Sequence, residues 1–181
     1  MRIKNLSLAE MNADQLRVVG EASAGKRGHM PVPMRAWIHS PELAARSQRL
    51  GEFVRYDTCL KPVYSELAIL VTARHWTSQF EWFAHKREAL NAGLDLAIID
   101  AIAANQTPDL YDAKAKAIYD YTLELHQERT VSAKTHAAAV AALTDVGVVE
   151  LIGIIGYYAY VAMTLNAFKI GVPEGETEEL T

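Results

Sequence analysis

Glu66, Ser78, Glu81 and His85 are the residues whose types and spacing bring chemistry within reach. On a helix, Ser78, Glu81 and His85 fall at i, i+3 and i+7 and share one stripe, and Glu66 faces them from a preceding helix. A carboxylate four residues before an imidazole holds the ring in one tautomer and favours its charged form, whereas burial opposes that charge. Such a pair can move protons, which is general acid-base chemistry. Plainer readings of the same residues stand beside this one. Ser78-x-x-Glu81 has the form of a capping box, in which hydroxyl and carboxylate satisfy free N–H groups at a helix start. Glu81 and His85 also fit a helix-surface pair, His85 a hydrogen-bonded core histidine, and Glu66 a solvated polar position.

The elements that must position these groups are helical. Leu16, Val19 and Ala22 follow Asn12, a good N-cap, and predict a helix to Ala24. Gly25 to Pro33 carries two glycines and two prolines and reads as an irregular loop. Gly20, Gly25 and Lys26 have the spacing of a phosphate loop there. Arg27 stands at the Ser/Thr position and no strand precedes Gly20, so nucleotide binding is rejected. Ser40-Pro41-Glu42 starts a helix that runs to about Tyr56, and Pro62 starts another through Arg74. A third begins at Thr77 or Ser78 and stops at Gly93. Asp95–Ala104, Asp112–Arg129, Ser132–Leu143 and Val146–Phe168 complete an all-α bundle of about seven helices, and no strand pattern is visible.

The chain of 181 residues suits one domain, placed at residues 1–172, followed by an acidic tail at 173–181 with little to bury, expected to be mobile. A net charge of −4 gives no basic field for nucleic acid. Cys59, the only cysteine, is read as a small buried residue, and it excludes an intrachain disulfide; with no apolar leader after Met1-Arg2-Ile3-Lys4, a cytoplasmic location is expected. Val146 to Phe168 is apolar enough to cross a bilayer. With Glu150, Asn166 and the adjacent Tyr157 and Tyr158 inside it, it is read instead as a buried helix, with Gly153 and Gly156 admitting a neighbouring backbone, and no membrane is expected. His126 and His136 lie ten apart, and no E-x-x-H or H-x-x-x-H motif occurs, so no metal is expected.

A glutamate on one helix, a short break, and a helix with a glutamate or cysteine four residues before a histidine resembles the signature of the carboxymuconolactone decarboxylase and alkylhydroperoxidase D superfamily. The segment Glu66 to His85, the continuation Ala89-Leu-Asn-Ala-Gly93-Leu and the later Glu150-Leu-Ile-Gly-Ile-Ile-Gly-Tyr-Tyr carry the resemblance, which spans about His39 to Pro173. In the redox branch two cysteines stand at the places of Ser78 and Glu81. Neither residue here forms a thiolate, so a dithiol peroxidase cycle is chemically closed to this chain. The decarboxylase branch implies a small lactone acid as substrate, with proton transfer to a carbon that becomes carbanion-like as carbon dioxide leaves, and no cofactor. On that reading His85 is the general acid/base, Glu81 its orienter and Glu66 a second proton-relay carboxylate. Trp76 and Trp82 form an apolar wall beside Ser78, and Arg74 receives a substrate carboxylate. The resemblance further implies trimers or hexamers, and the apolar final helix is a separate reason to expect a homo-oligomer. Two other classes stay open: a peroxidase-like antioxidant protein, disfavoured by the missing cysteine pair, and a non-catalytic binding or scaffold protein.

Overall fold

The helix starts follow local capping chemistry. Asn12 and Gln15 form a reciprocal capping box, Pro41 and Pro62 sit in first turns, and Asp95, Asp112 and Ser132 each accept a backbone N–H two or three residues on. The computed structural model describes residues 1–26 and 28–181, so Arg27, the residue at the Ser/Thr position of the rejected phosphate loop, lies outside the described residues. The resulting order is α1 (Ala13–Ala24), α2 (Met34–Trp37), α3 (Pro41–Tyr56), α4 (Pro62–His75), α5 (Gln79–Asn91), α6 (Leu96–Ala103), α7 (Ala113–Glu128) and α8 (Ala133–Phe168). No strand occurs among the described residues, so the chain is all-helical. The short α2 has no period to announce it and is made by burial. Met34 and Trp37 are both in the core, and the Trp37 indole donates to Thr164 Oγ1 at 2.9 Å and stacks on Tyr160.

The expected break before Val146 is present, but as a single irregular residue inside one long helix. Thr144 has φ +68°, a conformation that strains a β-branched side chain, and the chain then resumes helically as α8.

The helix surrounded on all sides is α4, not α8. Residues 65–74 of α4 are buried without interruption, and α4 packs against α3, α5, α6, α7 and α8. Leu67, Ile69 and Leu70 are fully enclosed, each contributing about 1.5–3 kcal/mol of transfer free energy. By contrast α8 buries one face and presents Val146, Val149, Ile152 and Met163 outward, beside the exposed Leu50 and Phe53 of α3. Hydropathy shows that a helix is apolar but not what covers it. The glycine expectation shifts too. Among the described residues nothing approaches Gly156 and only Val54 approaches Gly153, whereas a Cβ at Gly51 would overlap the Tyr157 hydroxyl.

Residues 173–181 do not trail away from the fold. Leu180 is buried, its backbone pairs in both directions with the Gln79 side chain at 2.6 and 3.1 Å, and Glu179 meets Lys86 at 2.5 Å. The acidic composition hid one apolar anchor and a set of polar partners on α5. Cys59 is likewise exposed rather than buried, with its backbone N–H donated to Glu150 at 2.6 Å.

Candidate functional site

The helices that carry the candidate residues are joined by a reversal too short for anything but direct packing. At the end of α4, Thr77 adopts φ +45°, its N–H bonds Arg74 O at 3.0 Å, and Ser78 N–H bonds Ala73 O at 2.9 Å. This is a Schellman stop with threonine at the position glycine usually fills. Ser78 then begins α5 at once. The far end of α5 closes the same way, with Gly93 at φ +90° and Leu94 N–H on Ala89 O. The two helices therefore lie antiparallel in direct contact, which brings Glu66 opposite His85.

His85 Nδ1 and Glu66 Oε2 are 2.6 Å apart, and both side chains are buried. A buried charge-assisted bond of this length fixes ring orientation and places the proton on Nδ1, leaving Nε2 as the acceptor. The Tyr158 ring meets the imidazole edge-on at 4.8 Å between centroids, which limits its tilt from the other side. Glu66 is thus the orienter of His85, the role that the sequence assigned to Glu81. The i, i+4 pair does not form because His85 turns its Nδ1 across the helix interface to α4.

Glu81 occupies a different environment. It is 1% exposed, and neither carboxyl oxygen has a hydrogen bond of normal geometry. Burial pushes its carboxyl well above the usual carboxylate range, and the Ser78 hydroxyl nearby opposes this only in part. Burial therefore favours the protonated, neutral form of Glu81. The capping box is absent: Ser78 makes no side-chain cap, and its own hydroxyl is buried without a partner.

Glu81 and His85 line one cavity of about 520 Å³. Its apolar wall comes from Phe80, Phe83, Val161 and Leu165, with Tyr157 and Tyr158 from α8. Trp76 and Trp82, expected to form that wall, do not line it. The Trp82 indole points to Glu179 at 3.4 Å, and Trp76 borders a separate depression with Asn166 and Lys169. Arg74 is likewise elsewhere, its guanidinium donating to Thr181 O at 2.8 Å and to Thr77 Oγ1 at 3.3 Å. Ser78 is buried behind the cavity rather than on its surface. The cations on the cavity wall are Arg35, Arg55 and Arg87. Of these, Arg87 shares the lining stripe of α5 with Phe80, Phe83, Ala84 and Glu88 and follows from helical spacing. Arg35 and Arg55 come from α2 and α3, and only the tertiary packing brings them in.

No group of three or more His, Cys, Asp or Glu side chains among the described residues is arranged to hold a metal ion. Away from the cavity, His75 and His126 stack at 4.4 Å, and His126 Nε2 meets Thr72 Oγ1 at 3.0 Å. Burial, helped by His75, holds His126 down at about 4.

No family model and no curated protein matches the chain in sequence. Solved structures do match in shape. One is the alkylhydroperoxidase AhpD core of an uncharacterized peroxidase-related protein from Ralstonia eutropha, with a TM-score of 0.78 and 16% identity over 96% of this chain and 92% of that one. Another is a protein of unknown function from Agrobacterium tumefaciens, provisionally described as an AhpD antioxidant defence protein, with a TM-score of 0.69 and 16% identity over 76% of this chain and 95% of that one. At such identities the likeness is one of architecture, and the chain has the helical fold of alkylhydroperoxidase D-like proteins.

Proposed function

We propose that this protein is a cofactor-independent lyase of the carboxymuconolactone decarboxylase kind, acting on a small carboxylated or lactone-type molecule by acid-base catalysis. One observation carries the reading: a histidine held by a buried carboxylate and a second carboxyl kept protonated by burial line the same cavity. Groups of opposite protonation in one site are what acid-base chemistry near neutral pH requires. In a decarboxylation the bond from carbon to carboxylate breaks, carbon dioxide leaves, and the electron pair stays on carbon. Glu81 supplies the proton that this carbon takes up and is reprotonated from solvent, and any proton that His85 Nε2 takes from one substrate atom as the double bond or lactone rearranges is returned to the substrate at another, so that one proton is consumed per carbon dioxide released. Glu66 acts through His85 as a positioning residue. The exposed apolar face of α8 and α3 supports assembly with further copies of the chain.

The test is a screen of small lactone acids and unsaturated carboxylic acids, with carbon dioxide release and ultraviolet absorbance as readouts. His85→Gln and Glu81→Gln should each abolish turnover of the substrate found, and unchanged turnover in His85→Gln removes the mechanism. A peroxidase reading has less support. Cys59 is exposed and has no second thiol, and its hydrogen bond to Glu150 pushes the thiol up, away from the reactive thiolate. Hydroperoxide consumption that disappears in Cys59→Ser would restore it.

A further inference from the structure

Three arginines stand on the cavity wall, and among the described residues Glu88 alone of the wall carboxylates comes within ion-pair distance of any of them. Arg55 on α3 has 19% of its side chain exposed, and its one ion pair among the described residues is with Glu88, at a loose 3.5 Å. Glu88 is shared, because Arg87 also approaches it at 3.8 Å. Arg35 on α2 is half-buried and makes no ion pair among the described residues. The remaining wall carboxylates are Glu174, which is exposed at the rim, and Glu81, whose oxygens have no hydrogen-bond partner among the described residues and whose burial favours the neutral form. Arg35 is thus a half-buried guanidinium with no carboxylate partner among the described residues, next to an apolar surface. An unpaired guanidinium in such a place is costly, and an incoming anion relieves that cost.

Arg55 is also close to the reacting groups. Burial works against its charge, but Tyr158, Tyr56, Glu66 and Glu88 together outweigh burial and hold the guanidinium charged. Two of those neighbours, Tyr158 and Glu66, are the ones that hold His85. A ligand group on Arg55 is therefore within the same small cavity as the His85 ring. The guanidinium fork matches a carboxylate in geometry as well as charge.

We infer that Arg55, assisted by Arg35, is the carboxylate-binding site of the cavity, that it takes a small organic acid with an apolar body, and that the incoming carboxylate displaces Glu88 from Arg55. This rests on the acid-base reading for what happens next, but the binding step stands apart from it. It replaces Arg74, whose guanidinium is taken up by Thr181 and Thr77. Glu88 then acts as a resident counter-ion that keeps the empty site closed to weak anions and gives way to a ligand with apolar contacts to Phe80, Phe83 and Val161.

Calorimetric titration with benzoate and cyclohexanecarboxylate, each against its neutral amide, tests the assignment. The acids should bind and the amides should not. Arg55→Gln should weaken acid binding roughly tenfold to a hundredfold, the loss expected for a charge-assisted contact. Arg55→Lys should recover only part of it, because an ammonium lacks the fork. Glu88→Gln should tighten binding, a gain that a merely structural role would not give and that survives any doubt about folding of the arginine variants. Equal binding of acids and amides, unaltered binding in Arg55→Gln, or weaker binding in Glu88→Gln overturns the proposal. The same titrations on His85→Gln separate the two claims. Arg55-dependent binding with no His85-dependent turnover of any acid leaves the anion site and removes the lyase. His85-dependent turnover of a substrate indifferent to Arg55 does the reverse.

Discussion

Replacing Glu81 with Gln tests the claim that this buried carboxyl keeps its proton. Glutamine has nearly the same shape and is neutral at every pH, so the substitution removes the ionisation and little else. Below the ordinary glutamate value of 4.5 the carboxyl is neutral in both folded and unfolded chains and contributes no pH dependence. Above it the unfolded chain releases the proton while the folded chain, in which the group is 1% exposed, keeps it. The folded state then binds one more proton than the unfolded state, so stability falls as pH rises. The slope is about 1.4 kcal/mol per pH unit for as long as the folded carboxyl stays neutral. From about pH 5 upward the loss accumulates until the folded carboxyl itself releases its proton, and even one pH unit of it is a sizeable part of the stability of an ordinary domain. Urea unfolding of wild type and Glu81→Gln across this range measures it. Because other groups titrate in the same range, the difference between the two proteins is the quantity to read. That difference should grow steadily in favour of Glu81→Gln as pH rises. A flat difference would mean that Glu81 is ionised in the folded chain, and both its isolation and its role as acid would fall.

Glu66→Gln should leave substrate binding close to normal and lower kcat on the order of a hundredfold, since it loosens the base without touching the wall; a rise in KM alone would contradict the positioning role. Nitrogen NMR of His85 in the same variant should show loss of the fixed Nδ1-protonated form. His126 acts oppositely to Glu81: its folded value near 4 lies below its ordinary 6.5, so its contribution is complete above about 6.5 and is lost as pH falls toward 4. Allowing for its partial contact with solvent, His126→Gln should remove no more than about 2 kcal/mol of acid sensitivity, read from unfolding between those values. Gly51→Ala should destabilise the chain by about 1–3 kcal/mol through overlap with Tyr157, and Tyr157→Phe in the same chain should return part of that loss in a double-mutant cycle.

The parts of this structure that were legible in the sequence are those set by neighbours along the chain. Asn12, Ser40-Pro41, Pro62 and Ser132 mark helix starts because capping is decided within one turn. Glu66, Glu81 and His85 were recognisable as a group for a related reason, since a short reversal between two helices leaves them few places to go. Which carboxylate holds the imidazole was not legible. That choice depends on the rotation of α5 against α4, and i, i+4 spacing favours the wrong partner. Arg55 and Arg35 were invisible because they reach the cavity from α3 and α2, and nothing local distinguishes them from surface arginines. Arg74 and Trp82 looked like site residues only because they are near His85 along the chain; in space they serve the C-terminal segment. Leu180 shows the same limit at small scale, one apolar residue in an acidic run whose burial depends on Gln79 far away in sequence.

That C-terminal ribbon links regions that otherwise have no reason to respond together. Residues 171–174 form part of the cavity rim, while 179–181 are pinned to Gln79, Lys86 and Arg74 on the two helices that supply Glu66 and His85. The rim is therefore sewn to the back of these two helices, and the Trp82 indole, 3.4 Å from Glu179, sits on the seam as a natural optical gauge of whether the stitch is closed.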